Sequence, residues 1–154
     1  MDLYEELRLL LAEFQRRGVE YALCGGLALA VHGLPRFTKD VDLLMPETCV
    51  AGAVAAAVAV GYDSHVDSLR IPSLSGAPTE IRRLNKFVGT KFLTLDILLV
   101  SPAINDAWHT RQMFDFEGQN LWCVSRSGLI KLKEYAGRDQ DLVDVKRLEQ
   151  SDST

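Results

Sequence analysis

The sequence lacks the marks of a disulfide-bonded, secreted or membrane-spanning protein. Its three cysteines, Cys24, Cys49 and Cys123, are odd in number and widely spaced, which fits neither a disulfide framework nor a zinc site. The most apolar stretch, residues 50–61, is much shorter than the roughly 20 residues that a membrane span requires. The first ten residues carry charged side chains where a signal peptide would be basic and then apolar. We therefore expect a soluble, cytoplasmic protein in a reducing compartment, without a membrane partner.

The sequence also lacks a net positive charge. Its formal net charge is −4, so a nucleic-acid partner would have to bind a local basic patch. Five basic residues in the middle of the chain are candidates for such a patch, namely Arg70, Arg82, Arg83, Lys86 and Lys91. The alternative, which we favour, is a solvated strand face. With 47% apolar and 25% charged residues, the chain is expected to form a single globular domain over residues 1–150 with a disordered tail at 151–154.

Hydrophobic periodicity and turn residues divide the chain into helices and strands. Helices are predicted at 2–17, 27–32, 47–60, 127–135 and from 139 or 140 to about 149, with a short helix or turn at 105–111. Strands are predicted at 19–24, 41–45, 68–71, 79–87 and 92–100, and a hairpin across Gly118 joins 113–117 to 121–124. Strands in the middle with helices at both ends predict an α/β (α+β) fold, a small mixed β-sheet flanked by helices.

Two aspartates separated by one residue, Asp40 and Asp42, open the strand predicted at 41–45. At strand spacing their side chains face the same side, while Val41 and Leu43 point towards the core. Neighbouring carboxylates repel each other, and their hard oxygen atoms suit Mg²⁺ together with substrate phosphates. The alternative is a solvated strand end that carries two surface acids.

A third aspartate, Asp96, lies inside the most apolar predicted strand, residues 92–100. Burying an unpaired carboxylate there would cost several kcal/mol, so a special role is expected. If this strand is a neighbour of the one that carries Asp40 and Asp42, the three acids converge on a site for two metal ions. Asp96 would then complete one of them and accept a proton from the nucleophile. The alternative for Asp96 is an acid that pairs with a structural arginine or lies at a strand end.

A glycine pair, Gly25-Gly26, stands between a predicted strand and a predicted helix. Glycine permits close approach of the backbone to a ligand, and a helix N-terminus offers N–H groups to a phosphate. A plain strand-to-helix turn explains the pair equally well. Arg36 and Thr38 precede the acids at distances suited to contacts with triphosphate oxygens, or they serve the turn itself.

Gly25-Gly26, the run Arg36-x-Thr38-x-Asp40-x-Asp42 and the isolated Asp96 together resemble the polymerase-beta-like nucleotidyltransferase superfamily. The longer string Gly-Gly-Leu-Ala-Leu-Ala-Val-His-Gly-Leu-Pro-Arg-Phe-Thr-Lys-Asp-Val-Asp-Leu is similar to its AbiEii toxin-type branch, which is linked to bacterial abortive infection and toxin–antitoxin systems. The closing segment is similar to that branch's lysine-and-aspartate segment, through Lys131, Lys133, Asp139, Asp141 and Asp144. Many members have Gly-Ser where this chain has Gly25-Gly26-Leu27, so a hydroxyl at the phosphate is missing here.

The resemblance implies the nucleotidyltransferase fold and a Mg²⁺-dependent transfer of a nucleoside monophosphate from an NTP, with ATP as a candidate, to a hydroxyl. It implies that Asp40, Asp42 and Asp96 are the catalytic metal ligands of a two-metal site. It also implies nucleotide contacts from Gly25, Gly26, Arg36, Thr38 and either Lys131 or Lys133, with Asp141 as a weaker candidate.

The acceptor is open at this stage. We expect a tRNA or other RNA, or a protein hydroxyl, and a possible toxin role with a cognate antitoxin as partner. A second hypothesis is a small antibiotic nucleotidyltransferase of the aminoglycoside or lincosamide type, and a third is an inactive module that binds a nucleotide or a partner.

Overall fold

The computed structural model describes residues 2–152 of the chain, which within that range forms six helices and a seven-stranded mixed sheet. The helices are α1 (Leu3–Arg17), α2 (Gly25–Val31), α3 (Val50–Ala59), α4 (Asn105–His109), α5 (Arg126–Ala136) and α6 (Asp139–Asp152). The strands are β1 (Ala22–Cys24), β2 (Asp40–Met45), β3 (Asp67–Ile71), β4 (Thr79–Val88), β5 (Lys91–Leu99), β6 (Gln112–Phe116) and β7 (Gln119–Cys123). In space they lie in the order β3-β4-β5-β2-β1-β7-β6. The predicted mixed α/β fold is confirmed.

The first helix begins and ends where its sequence signals predict. The carboxylate of Asp2 caps α1 by accepting hydrogen bonds from the backbone N–H groups of Tyr4 at 2.9 Å and Glu5 at 3.4 Å. Gly18 ends the helix in the left-handed conformation with φ +69°. The apolar stripe of α1 is buried through Leu7, Leu10, Leu11 and Phe14. This stripe attaches α1 to the core, and the helix also contacts α3.

The centre of the sheet is formed by β2 and β5, which run parallel. Val41 lies opposite Leu95 and Leu43 lies opposite Ile97, and all four side chains are inaccessible to solvent. Strands covered on both faces read as continuous apolar runs, which is why β5 was recognisable from the sequence. The same pairing determines where the acids on the opposite face of β2 come to lie.

The middle of the chain, which carries no part of the family resemblance, forms one side of the sheet. The strands predicted at 68–71 and 79–87 are confirmed as β3 and β4, which pair antiparallel. β4 then pairs antiparallel with β5, so this segment is hydrogen-bonded directly to the strand that carries Asp96.

Several boundaries differ from the predictions. β1 begins at Ala22, and α2 begins at Gly25 itself. A 3₁₀ turn, Glu47–Cys49, precedes α3 and follows Pro46, which has an extended backbone. α6 continues through Ser151 to Asp152, which were predicted to belong to a disordered tail, while residues 153 and 154 lie outside the described residues.

Two of the sequence predictions concerned membrane-spanning helices and disulfide bonds. No helix within residues 2–152 combines the length and the apolar character needed to cross a lipid bilayer. Cys24, Cys49 and Cys123, all within that range, form no disulfide.

Candidate functional site

A cavity of ≈ 430 Å³ lies where β2, β4 and β5 face the 36–39 segment and helix α5. Most of the residues predicted for a site line it, namely Gly25, Gly26, Arg36, Thr38, Asp40, Asp42, Asp96 and Lys133. Lys131 does not line it: its side chain is exposed and pairs with Asp106 at 3.4 Å. Of the two lysines left open by the sequence, Lys133 is therefore the one at the cavity.

One row of side chains crosses four strands at the floor of this cavity. Asp42 on β2 lies opposite Cys24 on β1 and opposite Asp96 on β5. Asp96 in turn lies opposite Arg83 on β4. Asp40 precedes Asp42 by two residues and therefore shares its face of the sheet. The parallel register of β2 and β5 thus gathers the three predicted acids on one face of two neighbouring strands.

The carboxylate of Asp42 has a strongly raised pKa. Desolvation by the surrounding protein, followed by repulsion from Asp96 and Asp40, raises its pKa to about 7. Lys133 and Arg138 oppose this rise through their positive charges. Burial also raises the pKa of Asp40, and Asp96 adds to this effect. Both acids of β2 therefore lie in a field that favours added positive charge.

Asp96 is held by an arginine that the sequence did not single out for it. The Arg83 guanidinium donates from Nε to Oδ1 of Asp96 at 2.7 Å and from a terminal nitrogen to Oδ2 at 3.0 Å. Its hydrogen bonds to this carboxylate raise the pKa of Arg83. Asp96 is only 7% exposed, and this bidentate salt bridge offsets the free-energy cost of burying its charge. The structural-arginine alternative predicted for Asp96 is therefore realised, at the wall of the cavity.

The acids fit a magnesium site through Asp40 and Asp42. Their donor atoms are carboxylate oxygens, which are the ligands that Mg²⁺ takes in proteins. As the side chains lie, no group of three or more His, Cys, Asp or Glu within residues 2–152 is arranged to hold a metal ion. Asp96 remains engaged with Arg83, so it would join such a site only after rearrangement of that pair.

The glycine pair is required by the side chains that pack on it. Gly25 has φ +66°, and an added Cβ would lie 2.1 Å from Oδ2 of Asp42. A Cβ on Gly26 would lie 2.7 Å from the hydroxyl oxygen of Thr38. The pair therefore permits Asp42 and Thr38 to approach the start of α2, which is a close-approach role that the spacing alone did not reveal.

A buried acid from the last helix organises the cations at the cavity. Asp144, which is inaccessible to solvent, accepts hydrogen bonds from Lys133 at 2.9 Å and from two nitrogens of Arg36 at 3.2 and 3.1 Å. Burial would raise the pKa of Asp144, but these hydrogen bonds, first from Lys133 and then from Arg36, outweigh it and lower the pKa. Arg36 and Lys133 are thus positioned by an aspartate that carried no predicted role.

The weaker candidate, Asp141, has a similar task. Its carboxylate accepts a hydrogen bond from Nε of Arg138 at 2.7 Å and lies 3.8 Å from Nζ of Lys133. It lines the cavity and is 4% exposed. Asp141 therefore holds basic side chains at the cavity, and the short spacing Lys133…Arg138…Asp141…Asp144 is the signal from which this network could have been found.

The loop at 72–78 is attached to the end of α5 by hydrogen bonds. The hydroxyl of Ser73 donates to the carbonyl of Tyr135, and the hydroxyl of Tyr135 donates to the carbonyl of Ala77 at 2.5 Å. Ile71 and Thr79, which flank the loop, both line the cavity. The loop therefore joins the β3–β4 side of the sheet to the helix that supplies Lys133.

Similar proteins are found by comparison of structures but not by comparison of sequences. No family model matches the sequence, and no curated protein matches it. ANT(2″)-Ia, solved in complex with adenylyl-2″-tobramycin, is similar with a TM-score of 0.59 and 15% identity over 98% of this chain and 89% of that one. The lincosamide antibiotic adenylyltransferase LnuA, solved with lincomycin, has a TM-score of 0.62 and 18% identity over 94% and 95%. A proposed nucleotidyltransferase from Thermotoga maritima has a TM-score of 0.55 and 13% identity over 99% and 92%.

The chain has the nucleotidyltransferase fold. The likeness extends over nearly all of this chain and most of each of these structures, and it confirms the fold that the superfamily resemblance implied. At identities below 20% it concerns the fold alone. The AbiEii toxin-type branch remains a prediction from the sequence.

Replacing Gly25 with alanine should test the close approach of Asp42. Gly18→Ala is the matched control, since Gly18 has nearly the same φ, +69°, and no atom within 4 Å of an added Cβ. Both variants should lose about 1–2 kcal/mol of unfolding free energy from the left-handed backbone. Gly25→Ala should lose about 1–3 kcal/mol more in chemical denaturation, because its methyl group displaces the Asp42 carboxylate. Equal losses in the two variants would contradict this account.

The raised pKa of Asp42 predicts a specific pH dependence of stability without added metal. Between pH 4 and 7 the unfolded chain releases the Asp42 proton before the folded chain does, so this group destabilises the fold increasingly as the pH rises. Asp42→Asn should therefore match the wild type near pH 4 and exceed it at pH 8, by at most about 4 kcal/mol. Denaturation at both pH values, with the exposed Asp115→Asn as control, measures the difference. A gap that is the same at pH 4 and pH 8 would rule out the assignment.

Proposed function

We propose that the chain is a Mg²⁺-dependent nucleotidyltransferase that moves a nucleoside monophosphate from an NTP to a hydroxyl. The observation that carries this proposal is the placement of Asp40, Asp42 and Asp96 on one face of two paired strands, at a cavity in a nucleotidyltransferase fold. Such an arrangement concentrates negative charge where a metal-bound triphosphate is expected.

In the proposed reaction, the acceptor oxygen forms a bond to the α-phosphorus of the NTP. The bond between that phosphorus and the oxygen leading to the β-phosphate breaks, and pyrophosphate leaves. The proton of the acceptor hydroxyl passes to a carboxylate of the site, for which Asp96 is the predicted base. Bound magnesium would neutralise phosphate charge in this reaction, and Asp40 and Asp42 would hold it.

Basic side chains at the cavity are suited to the phosphates. Lys133 and Arg138 line the cavity and act electrostatically on Asp42, so their charges lie near the proposed metal site. Arg36 lines it as well, with its guanidinium engaged by Asp144. Gly25, Gly26 and Thr38 would contact the triphosphate at the start of α2. Lys131, which points away from the cavity, has no part in this proposal.

For the acceptor, the charge distribution favours a small molecule over RNA. Three residues of the candidate basic patch form ion pairs with acidic side chains: Arg70 with Glu80, Arg83 with Asp96 and Lys86 with Glu6. Arg82 and Arg83 also point to opposite faces of β4, because they are adjacent in a strand. A continuous basic track for RNA phosphates is therefore lacking along β4.

The cavity itself adds to this preference. One part of its wall is apolar, formed by Ile71, Ile81, Leu98, Ile104, Leu129 and Leu132. A wall of this kind suits a compact, partly apolar acceptor better than a sugar–phosphate chain. The similar structures ANT(2″)-Ia and LnuA were solved with tobramycin- and lincomycin-derived ligands, which supports the same class. The toxin role, with its antitoxin, stays a prediction that rests on the sequence resemblance.

Incubation of the protein with Mg²⁺, α-³²P-labelled NTPs and separate acceptor pools tests the proposal. We expect label on a hydroxyl-bearing small molecule of the aminoglycoside or lincosamide class and release of pyrophosphate. Asp40→Asn, Asp42→Asn and Asp96→Asn should each reduce transfer by at least about 100-fold, since each removes charge at the reacting phosphate. Asp115→Asn, on the exposed face of β6, should leave transfer unchanged.

The acceptor pools separate the competing hypotheses. Label found on RNA or on protein would support the toxin-type function and contradict the small-molecule proposal. Binding of an NTP with no transfer to any pool, even with Mg²⁺ in excess, would favour the inactive binding module.

A further inference from the structure

We propose that Arg83 takes the place of one of the two metal ions of a two-metal site, so that this protein binds a single divalent cation with its nucleotide. The inference rests on the proposed nucleotidyl transfer and concerns the same cavity. It replaces the two-metal site that the resemblance implies with one cation held by Asp40 and Asp42 and one guanidinium held by Asp96.

The geometry of the pair supports this replacement. Both oxygens of Asp96 accept hydrogen bonds from Arg83, at 2.7 and 3.0 Å. A carboxylate engaged through both oxygens presents its charge to the guanidinium, as it would to a metal ion. Within residues 2–152, moreover, no three acidic, cysteine or histidine side chains are set to share one ion. The positive group that Asp96 binds is therefore the Arg83 guanidinium of the same chain.

The register of the sheet places Arg83 next to Asp96. Arg83 lies directly opposite Asp96 in the antiparallel β4–β5 pair, and Asp96 lies directly opposite Asp42 in the parallel β5–β2 pair. All three positions are inside the ladder, away from the strand ends. Arg83 also lines the cavity. Its position therefore comes from the sheet itself and does not depend on a flexible loop.

The charge next to Asp96 agrees with one ion. Arg83 supplies a positive charge directly beside this carboxylate. A second divalent cation would have to approach Asp96 against the fixed charge of the guanidinium, which costs free energy at short range.

Counting metal ions tests the inference without measuring catalysis. The wild-type protein is dialysed to equilibrium against Mn²⁺ and an ATP analogue with a methylene group between the α- and β-phosphorus atoms, which cannot be cleaved there. Bound Mn²⁺ and bound analogue are then both measured by mass spectrometry. We expect one Mn²⁺ for each bound analogue in the wild type, and two would overturn the inference while leaving the proposed function intact. Absence of bound analogue would overturn both.

Three variants locate the effect at Arg83. Arg83→Gln removes the charge and should raise the count from one towards two. Arg83→Lys keeps a positive charge beside Asp96 and should stay at one. Arg82→Gln is the matched control, since Arg82 points to the opposite face of β4 and lies 3.7 Å from Glu80. If Arg83→Gln folds and still binds one Mn²⁺ for each analogue, Arg83 does not take the place of a metal ion. If Arg83→Gln does not fold, the inference stands or falls on the counts for the wild type and for Arg83→Lys.

Discussion

Repulsion between carboxylates on neighbouring strands is the constraint around which this site is built. The parallel register of β2 and β5 sets Asp42 directly beside Asp96, and Asp40 follows on the same face. Repulsion of this kind is tolerated only where positive charge is supplied, and the fold supplies part of it through Arg83 on the next strand. Burial, followed by repulsion from Asp96 and Asp40, raises the pKa of Asp42 to about 7.

The cations of the cavity are held in place by acids from the end of the chain. Asp144 fixes Arg36 and Lys133, and Asp141 fixes Arg138, so α6 acts on the site without contributing a predicted catalytic group. These pairs keep Arg36, Lys133 and Arg138 at the cavity, which all three residues line. Under the proposed function, this placement would lower the entropy lost when the basic side chains bind a phosphate. The acids of α6 thus determine where much of the positive charge of the cavity lies.

The segment between β3 and β4 links the sheet to helix α5. Hydrogen bonds between the 72–78 loop and the end of that helix bring Ile71 and Thr79 to the same cavity as Lys133. The β4–β5 pairing then adds Arg83 and Ile81. A part of the chain without family motifs therefore supplies two residues of the apolar wall, Ile71 and Ile81, and the counter-ion of Asp96.

The sequence by itself determined the features that depend on local chemistry. Capping by Asp2 and Gly18 bounded α1, alternation placed Asp40 and Asp42 on one face, and an acid inside an apolar run marked Asp96. These signals arise from backbone and side-chain preferences over a few residues. They were sufficient for the fold class and for the three acids.

Only the tertiary structure decided which groups meet. Arg83 is 13 residues from Asp96, and Arg36 is 108 residues from Asp144, so no local pattern connects either pair. The placement of helix α5 leaves Lys131 outside the cavity, and alternation along β4 divides Arg82 from Arg83 between two faces. Close approach to Asp42 and Thr38, in addition to turn geometry, explains the glycine pair. Charge pairing across long sequence separations is set by how strands and helices pack, and packing is a property of the whole chain.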